Sequence, residues 1–133
     1  MSPSQIVIEF IRHIEVPDLD QAIALLAPHV EYDNVPIGKV HGPDAVRAIL
    51  QPFCAGFDEI DWVIHHQVSN EHQAGDASSG AIVMNERTDR FRSGERWIEL
   101  PVCGVFRVND DGLIELWRDY FDDATLRSQL SPS

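Results

Sequence analysis

One stretch organises the sequence of this chain: Val83-Met84-Asn85-Glu86-Arg87-Thr88-Asp89-Arg90-Phe91. Alternate side chains of an extended strand point to the same face. An amide, a guanidinium and a carboxylate therefore share one face, with an apolar residue at each end. That face consists of Val83, Asn85, Arg87, Asp89 and Phe91. Burying such polar groups costs several kcal/mol unless they pair with one another. We therefore predict a polar cluster inside an apolar chamber, completed by a partner from elsewhere in the chain.

The best partner comes from a second strand-like run, Trp117-Arg118-Asp119-Tyr120-Phe121, in which an acid lies among aromatic residues. A guanidinium presents five N–H donors in a rigid fork and can hold two carboxylates at once. The hypothesis is therefore an Asp89–Arg87–Asp119 array. Two acids in one dry site do not ionise alike, because the guanidinium keeps one charged while the other is pushed toward its protonated form. Such an array can activate water on one side and protonate a leaving oxygen on the other.

Length and charge restrict the class of protein. The chain has 133 residues, which suits one domain over residues 1–133 with one core. Its hydrophobic share of 44% and charged share of 24% are those of an ordinary soluble globular protein. Ten basic against twenty-two acidic residues give a net charge of −12. Because that charge repels nucleic acid and anionic membrane surfaces, we expect neither as a partner.

The chain carries no signal in its sequence for a membrane or an oxidising compartment. No apolar stretch approaches the roughly 18 residues that span a bilayer, and the N-terminus has no positively charged segment before a long apolar run. Cys54 and Cys103 are far apart and belong to no CxxC motif. We therefore expect a cytoplasmic protein with reduced cysteines.

The first half of the chain is predicted to be mainly helical. One amphipathic helix covers Gln5–Glu15 with Ser4 as its N-cap, and a second covers Leu19–Leu26. A third begins at Gly42-Pro43-Asp44, since proline is tolerated at the first helical position. Pro52 is predicted to kink or end this helix near Phe53.

The second half is predicted to be sheet. A first strand, Val30–Val35, is halted by proline and glycine, and the later strands, turns and tail helix are Ile60–Ser69, the polar turn-rich segment Asn70–Gly80, Ala81–Arg92, the hairpin Ser93–Glu95, Trp97–Val108, the hairpin Asn109–Gly112, Leu113–Phe121 and the helix Asp123–Leu130. Helices first and a meander afterwards indicate an α+β fold. We expect a strongly curved mixed or antiparallel sheet wrapped over the N-terminal helices, forming a cone with an apolar pocket.

Several of these motifs together resemble the limonene-1,2-epoxide hydrolase family. The similar stretches are Tyr32-x-Asn34, Gly42-Pro43-Asp44-Ala45-Val46, Asn85-Glu86-Arg87-Thr88-Asp89, Gly104-Val105-Phe106 and Gly112 to Phe121. They are spread over nearly the whole chain, and Arg-x-Asp followed by Trp-Arg-Asp-Tyr-Phe is fairly specific. The resemblance implies the cystatin-like cone that nuclear transport factor 2 also uses.

The resemblance also implies a role for each polar residue. Asp119 would be the general base that deprotonates a water, and Asp89 the general acid that protonates the epoxide oxygen. Arg87 would bridge the two carboxylates, while Tyr32 and Asn34 would hold the water. The epoxide would open in one step to a vicinal diol, without a covalent enzyme intermediate and without a cofactor.

A small hydrophobic epoxide and water are the substrates that the resemblance implies, and a homodimer is the assembly it implies. By position, four residues would form the apolar wall: Phe91, Leu100, Val102 and Phe121. The outward side of the hairpin strands, including Trp97 and Val105, offers apolar material for the dimer. Asn85 shares the inner face of its strand and has no assigned role.

The sequence argues against two other kinds of site. Its six histidines show no HExxH or other tetrahedral spacing, so we expect no metal. It contains no G-x-S-x-G elbow, which disfavours a covalent ester mechanism of the α/β-hydrolase type. The charged residues Glu86, Glu99 and Arg118 are predicted to point away from the chamber.

Other interpretations of the same residues remain open at this point. Arg87 and Asp89 also fit an ordinary ion pair on a solvated strand, and Asp119 a turn cap. Tyr32 also fits a core-edge aromatic, and Asn34 a turn residue. Two other functions also remain open: a different enzyme in the same cone, either an isomerase of ketosteroid type or a polyketide cyclase, and a non-catalytic binding or dimerisation module. The last alternative would be supported if Arg87 and Asp89 were exposed, with no carboxylate near the guanidinium.

Overall fold

The computed structural model describes residues 1–70 and 80–130. Within these ranges the helices and strands follow in this order: α1 Pro3–Glu15, α2 Leu19–Ile23, β1 Leu26–Asn34, β2 Gly38–His41, α3 Pro43–Ala55, β3 Glu59–Ser69, β4 Ala81–Ser93, β5 Arg96–Val108, β6 Ile114–Tyr120 and α4 Asp123–Leu130. Most of the turn-rich segment predicted for residues 70–80 lies outside the described residues.

The strands form one mixed sheet in the order β2-β1-β6-β5-β4-β3. Strands β1 and β6 pair parallel, and the other neighbours pair antiparallel. Helix α1 packs against β3, β4 and β5, while α3 packs against β1 and β2. The prediction of an α+β fold, with the sheet covering the N-terminal helices, is confirmed.

Helix α1 contributes the central apolar face of the core. Its buried residues recur at helical spacing and are Ile6, Val7, Phe10, Ile11 and Ile14. The predicted N-cap, Ser4, is wrong, because the helix begins earlier at Pro3. The Ser2 hydroxyl accepts a hydrogen bond from the Gln5 backbone N–H, and the Gln5 side chain accepts one from the Ser2 backbone N–H. This reciprocal capping box, with proline at the first helical position, outweighs a cap at Ser4.

The second helix and the first strand divide the chain differently from the prediction. Asp18 caps α2, but the helix ends at Ile23 and β1 already begins at Leu26. The reason is pairing with β6, since the Ile114 backbone N–H donates to the Leu25 carbonyl at 2.8 Å. The proline and glycine after β1 do not simply halt the strand. They form a turn into β2, an edge strand that the sequence interpretation missed.

Pro52 lies inside α3, so the prediction that it ends the helix near Phe53 is wrong, while the alternative, a kink at this position, stays a prediction. The helix continues to Ala55, and the Gly56 backbone N–H bonds to the carbonyls of Pro52 and Phe53. The Phe53 ring packs against Phe57 and other aromatic side chains of the core. This packing holds the final turn despite the N–H that proline lacks.

Strand β4 fulfils the alternation that its sequence predicts. Its buried positions are Val83, Asn85, Arg87, Asp89 and Phe91, none more than 5% exposed. The intervening residues are exposed or half-buried. Strand β4 therefore places the amide of Asn85, the guanidinium of Arg87 and the carboxylate of Asp89 in the interior, beneath the helices. Among the described residues, none of the helices is long and apolar enough to cross a membrane.

Candidate active site

The guanidinium of Arg87 lies between two buried carboxylates. Its Nε donates to Asp89 Oδ1 at 2.7 Å and its Nη2 to Asp89 Oδ2 at 3.1 Å, which is a bidentate pair. The same Nη2 donates to Asp119 Oδ2 at 2.7 Å. The Arg87 side chain is fully buried, and the two carboxylate side chains are 7% and 5% exposed. The structure thus brings together the three residues of the predicted array.

Asp119 reaches this array from β6, across the intervening strand β5. In the sheet register, Asp119 is opposite Gly104 of β5, and Gly104 is opposite Asn85 of β4. Because glycine has no side chain, the Asp119 carboxylate can approach the guanidinium over β5. Its second oxygen, Oδ1, accepts a hydrogen bond from the Trp117 indole N–H at 3.0 Å. Two N–H donors therefore orient the carboxylate and stabilise its negative charge.

The two sides of the array differ electrostatically. Burial raises the pKa of Asp89 to about 6, with a further increase from the charge of Asp119, although the Arg87 guanidinium acts to lower it. Burial by itself lowers the pKa of Arg87, but the charges of Asp119 and Asp89 outweigh burial and raise it overall. Arg87 is therefore a permanent cation, and Asp89 can carry a proton near neutral pH.

Tyr32 and Asn34 lie beside Asp119 on the neighbouring strand β1. The parallel register places Tyr32 next to Trp117 and Asn34 next to Asp119. The Tyr32 ring stacks on the Trp117 indole with centroids 3.9 Å apart. Burial raises the pKa of the Tyr32 hydroxyl, so it stays protonated. The structure thus gathers a hydroxyl and an amide next to a carboxylate, all three lining one cavity.

That cavity has a volume of about 210 Å³ and is apolar except for four lining residues, which we call its floor: Tyr32, Asn34, Asp89 and Asp119. The four predicted wall residues all line it: Phe91, Leu100, Val102 and Phe121. Arg87 lies behind the carboxylates rather than in the lining. A ligand in this cavity would therefore meet the two acids directly and the guanidinium only through them.

Part of the cavity wall was not predicted from the sequence. It includes Trp62 on β3, and Phe53 and Phe57, which follow Pro52. Trp62 is opposite Asp89 in the register of β3 and β4. Its ring lies 5.2 Å from the Arg87 guanidinium carbon, in a cation–π arrangement. The sequence does contain a signal for Trp62. Ile60 and Trp62 alternate along β3 and so share one face of the strand, and both are buried.

Three charged residues that were predicted to point outward lie on the other face of the sheet. Arg118 donates to Glu31 at 2.9 Å and to Asp33 at 3.2 Å. Glu99 pairs with Arg90, and Glu86 lies near His66. Within residues 1–70 and 80–130, no group of three or more histidine, cysteine, aspartate or glutamate residues is placed to hold a metal ion.

Comparison with known protein families identifies the family of this chain. The model of the limonene-1,2-epoxide hydrolase catalytic domain matches residues 1–131. The chain belongs to the limonene-1,2-epoxide hydrolase family. Epoxide hydrolase EphG of Mycobacterium tuberculosis (strain ATCC 25618 / H37Rv) is 34% identical over 115 residues, which are 85% of this chain and 68% of that protein.

Solved structures agree with this membership of the limonene-1,2-epoxide hydrolase family. A limonene-1,2-epoxide hydrolase-like epoxide hydrolase of M. tuberculosis superposes with a TM-score of 0.74 at 31% identity, over 95% of this chain and 86% of that chain. The epoxide hydrolase/cyclase-like enzyme SalBIII, described in pyran ring formation in the polyether salinomycin, has a TM-score of 0.74 at 16% identity. It is matched over 92% of each chain. At that identity the likeness shows the shared cone fold alone.

The raised pKa of Asp89 predicts a pH dependence of stability that needs no substrate. The folded value of about 6 lies above the ordinary value of 3.8. The folded protein therefore holds this proton more firmly, and the resulting stability is complete below about 3.8 and lost as pH rises through about 6. We expect the wild type to lose free energy of unfolding relative to Asp89→Asn between pH 4 and pH 6. Urea titrations of both proteins at several pH values measure this, and parallel curves would contradict it.

Proposed function

We propose that this chain is a cofactor-independent epoxide hydrolase that adds water to a hydrophobic epoxide and releases a vicinal diol. One observation carries the proposal: a buried guanidinium is shared by two carboxylates at the floor of an apolar cavity. One carboxylate, Asp89, is arranged to hold a proton. The other, Asp119, lies beside a hydroxyl and an amide. Family membership supports the same reaction class.

In the proposed mechanism the reaction is one concerted proton relay. Tyr32, Asn34 and Asp119 hold a water molecule, and the Asp119 carboxylate takes a proton from it. The water oxygen forms a bond to one epoxide carbon while the bond from that carbon to the ring oxygen breaks. The ring oxygen takes the proton of Asp89 at the same time. One negative charge thereby moves from Asp119 to Asp89, and the atoms of water and epoxide are all found in the diol.

Arg87 suits this transfer because it contacts both carboxylates before the reaction begins. The charge that leaves Asp119 and the charge that develops on Asp89 are each within hydrogen-bond distance of the same guanidinium. No reorganisation of solvent is needed, since the Arg87 side chain is fully buried. Such preorganised electrostatic stabilisation is the largest single contribution to catalysis in many enzymes.

The cavity favours a neutral, apolar substrate body. Its wall is built from aliphatic and aromatic side chains, so a charged substituent would be buried without a partner. Apolar side chains continue to the mouth, where Ile37 and Leu130 are 65% and 48% exposed. The chain's net charge of −12 also disfavours an anionic substrate. We therefore propose an epoxide whose ring lies at the floor while its hydrocarbon body extends toward this mouth.

Isotope labelling in a single turnover tests the proposed reaction. With enzyme in excess over a hydrophobic epoxide in ¹⁸O water, we expect ¹⁸O in the diol formed in the first turnover. An ester intermediate on an enzyme carboxylate would instead give first-turnover diol with unlabelled carboxylate oxygen. Mass spectrometry of the quenched reaction distinguishes these results, and incubation without enzyme corrects for uncatalysed hydrolysis.

The alternatives from the sequence predict different results in the same experiment. An isomerase gives a product without ¹⁸O, and so does a cyclase that opens the epoxide with a hydroxyl of the substrate itself. Either result would overturn the hydrolase proposal. Exposure of Arg87 and Asp89 would have supported the binding-module alternative, but they are only 1% and 5% exposed.

The proposed enzyme would act as a homodimer, as its family implies. The outer face of the sheet offers half-buried apolar side chains on β5, including Trp97 and Val105. The guanidinium of Arg90 lies 4.1 Å from the Trp97 ring and covers part of it.

A further inference from the structure

Five residues form one row across the sheet, perpendicular to its strands. The register places Gln67 of β3 opposite Asn85, Asn85 opposite Gly104, Gly104 opposite Asp119, and Asp119 beside Asn34. The proposed mechanism assigns roles to Asp119 and Asn34 and leaves the other half of the row without one. Asn85 is only 3% exposed, whereas asparagine side chains are mostly exposed in folded proteins.

We propose that Asn85, held by Gln67, is a positioning residue that fixes the guanidinium of Arg87 on the side away from the substrate. This inference rests on the proposed function. Arg87 Nη1 donates to Asn85 Oδ1 at 3.0 Å, and Asn85 Nδ2 donates to Gln67 Oε1 at 3.2 Å. Gln67 Nε2 then donates to the Ser4 carbonyl of α1 at 3.1 Å. A chain of hydrogen bonds thus connects helix α1 to the guanidinium.

The two ends of this chain of hydrogen bonds allow the side-chain amides of Gln67 and Asn85 only one orientation. A backbone carbonyl can only accept a hydrogen bond, so Gln67 must direct its NH₂ group toward Ser4 and its oxygen toward Asn85. Asn85 must then donate to Gln67, which directs its own oxygen at Arg87. A guanidinium can only donate, so this oxygen is the atom it requires. Rotation of either amide would oppose donor to donor or acceptor to acceptor.

Gly104 provides the space in which this contact is made. A side chain at that position would collide with Arg87 Nη1 and would lie 3.0 Å from both Asn85 Oδ1 and Asp119 Oδ1. The guanidinium therefore lies in a slot with Asn85 on one side and Asp119 on the other. With Asp89 at its other edge, four of its N–H groups are directed by described side chains.

Asn85 suits this position because it is a neutral acceptor. It binds the guanidinium without adding a third negative charge to Asp89 and Asp119, so Arg87 stays shared between the two carboxylates. Neither Asn85 nor Gln67 lines the cavity. Their effect on the reaction is therefore exerted through Arg87, which predicts a change in kcat with little change in KM.

The decisive variant is Asn85→Asp, because its effect should depend on pH. When the introduced carboxyl is protonated, it accepts from Arg87 and donates to Gln67 as the amide does. When it is ionised, it loses the bond to Gln67 and draws Arg87 from its shared position. The charged groups of its cluster are Arg87, which donates to this side chain, and Asp89 and Asp119, which share Arg87. We expect its kcat to approach the wild-type value at low pH and to fall about tenfold or more below it as pH rises. A wild-type to variant ratio that is constant with pH would overturn the proposal.

A second variant and a control separate positioning from mere folding. Gln67→Leu leaves Arg87 and its partners intact but removes the acceptor that orients Asn85, and we expect kcat to fall about tenfold. Val83→Ala is a buried change on the same face of β4 with no contact in the hydrogen-bond chain. It should lower stability and leave kcat at the wild-type level. Equal kcat values for Gln67→Leu and Val83→Ala would overturn the proposal.

One measurement distinguishes this proposal from the proposed function itself. The carboxyl carbon of Asp89, followed by ¹³C NMR in labelled protein, reports on the array without a substrate. We expect its titration to move to higher pH in Asn85→Asp, because a third carboxylate joins the cluster, and to be unchanged in Val83→Ala. An unchanged titration in Asn85→Asp would overturn the positioning role even in an active enzyme. A shifted titration in Asn85→Asp, together with a wild type that produces no labelled diol, would overturn only the hydrolase reaction.

Discussion

Replacing either Asp89 or Asp119 by asparagine is expected to lower kcat/KM for diol formation by about 100- to 10,000-fold, the range that general acid–base catalysis contributes. Asparagine matches aspartate in size, but its NH₂ group replaces one accepting oxygen, so each variant keeps at most one of the two hydrogen bonds that its carboxylate accepts from described donors. In Asp119→Asn, however, the amide cannot accept the proton of the nucleophilic water. In Asp89→Asn, the amide N–H can bind the epoxide oxygen but cannot transfer a proton to it.

The comparison needs a control that changes a carboxylate of equal size outside the cavity. Asp33→Asn serves this purpose, because Asp33 lies on β1 next to Asn34 but accepts from Arg118 on the outer face of the sheet. Its kcat/KM should be close to that of the wild type. Circular dichroism of all three variants checks that the fold persists. Full activity in Asp89→Asn or Asp119→Asn, with a folded protein, would contradict the proposed mechanism.

The Arg87→Met variant is expected to lose the largest amount of stability of any single replacement in the array. Methionine fills much of the same volume, but it leaves Asp89 and Asp119 buried with no cation between them. Breaking a buried ion pair by removing one partner costs about 3–5 kcal/mol. We expect a loss of this size in the free energy of unfolding at neutral pH, measured by urea denaturation. The loss should shrink at acidic pH, where the carboxylates take up protons.

Arg90→Met is the matched control for this change. Arg90 lies on the same strand but on its outer face, with ion pairs to Asp61 and Glu99 at 2.7 and 3.1 Å. Such solvent-accessible pairs contribute little, so we expect a much smaller loss of stability. The double variant Arg87→Met with Asp89→Asn should regain part of the loss, because it buries one charge fewer. Equal stability of Arg87→Met and Arg90→Met would show that the buried carboxylates do not need the guanidinium.

The sequence was most informative where one local rule determines the outcome. Period-two alternation is enough to place Arg87 and Asp89 on a buried face, and the cost of burying a polar cluster there indicated a further partner such as Asp119. Helical spacing likewise identified the buried face of α1. These inferences depend on neighbouring residues and on the high cost of burying an unpaired charge, and both can be evaluated from a sequence.

Features that depend on distant contacts were not predictable in the same way. Leu26 joins β1 because β6 pairs with it, and α3 continues past Pro52 because Phe53 packs among other aromatic rings. The link from Asn85 to Gln67 and Ser4 requires the register of β3 and β4, which alternation alone does not give. Trp62 became part of the cavity wall through the same register. In each case the deciding partner lies far away along the chain.

The parallel pairing of β1 with β6 has a consequence for how the protein is made. Residues Asp33 and Arg118, which bond across this pair, are 85 positions apart. Closing so long a loop carries an entropic cost and makes such contacts late events in folding. During synthesis Arg87 and Asp89 leave the ribosome together on β4, while Asp119, the proposed base, arrives only with β6. The growing chain therefore has a cation with a single carboxylate, and Asp119 joins Tyr32 and Asn34 only when almost all of the sheet has emerged.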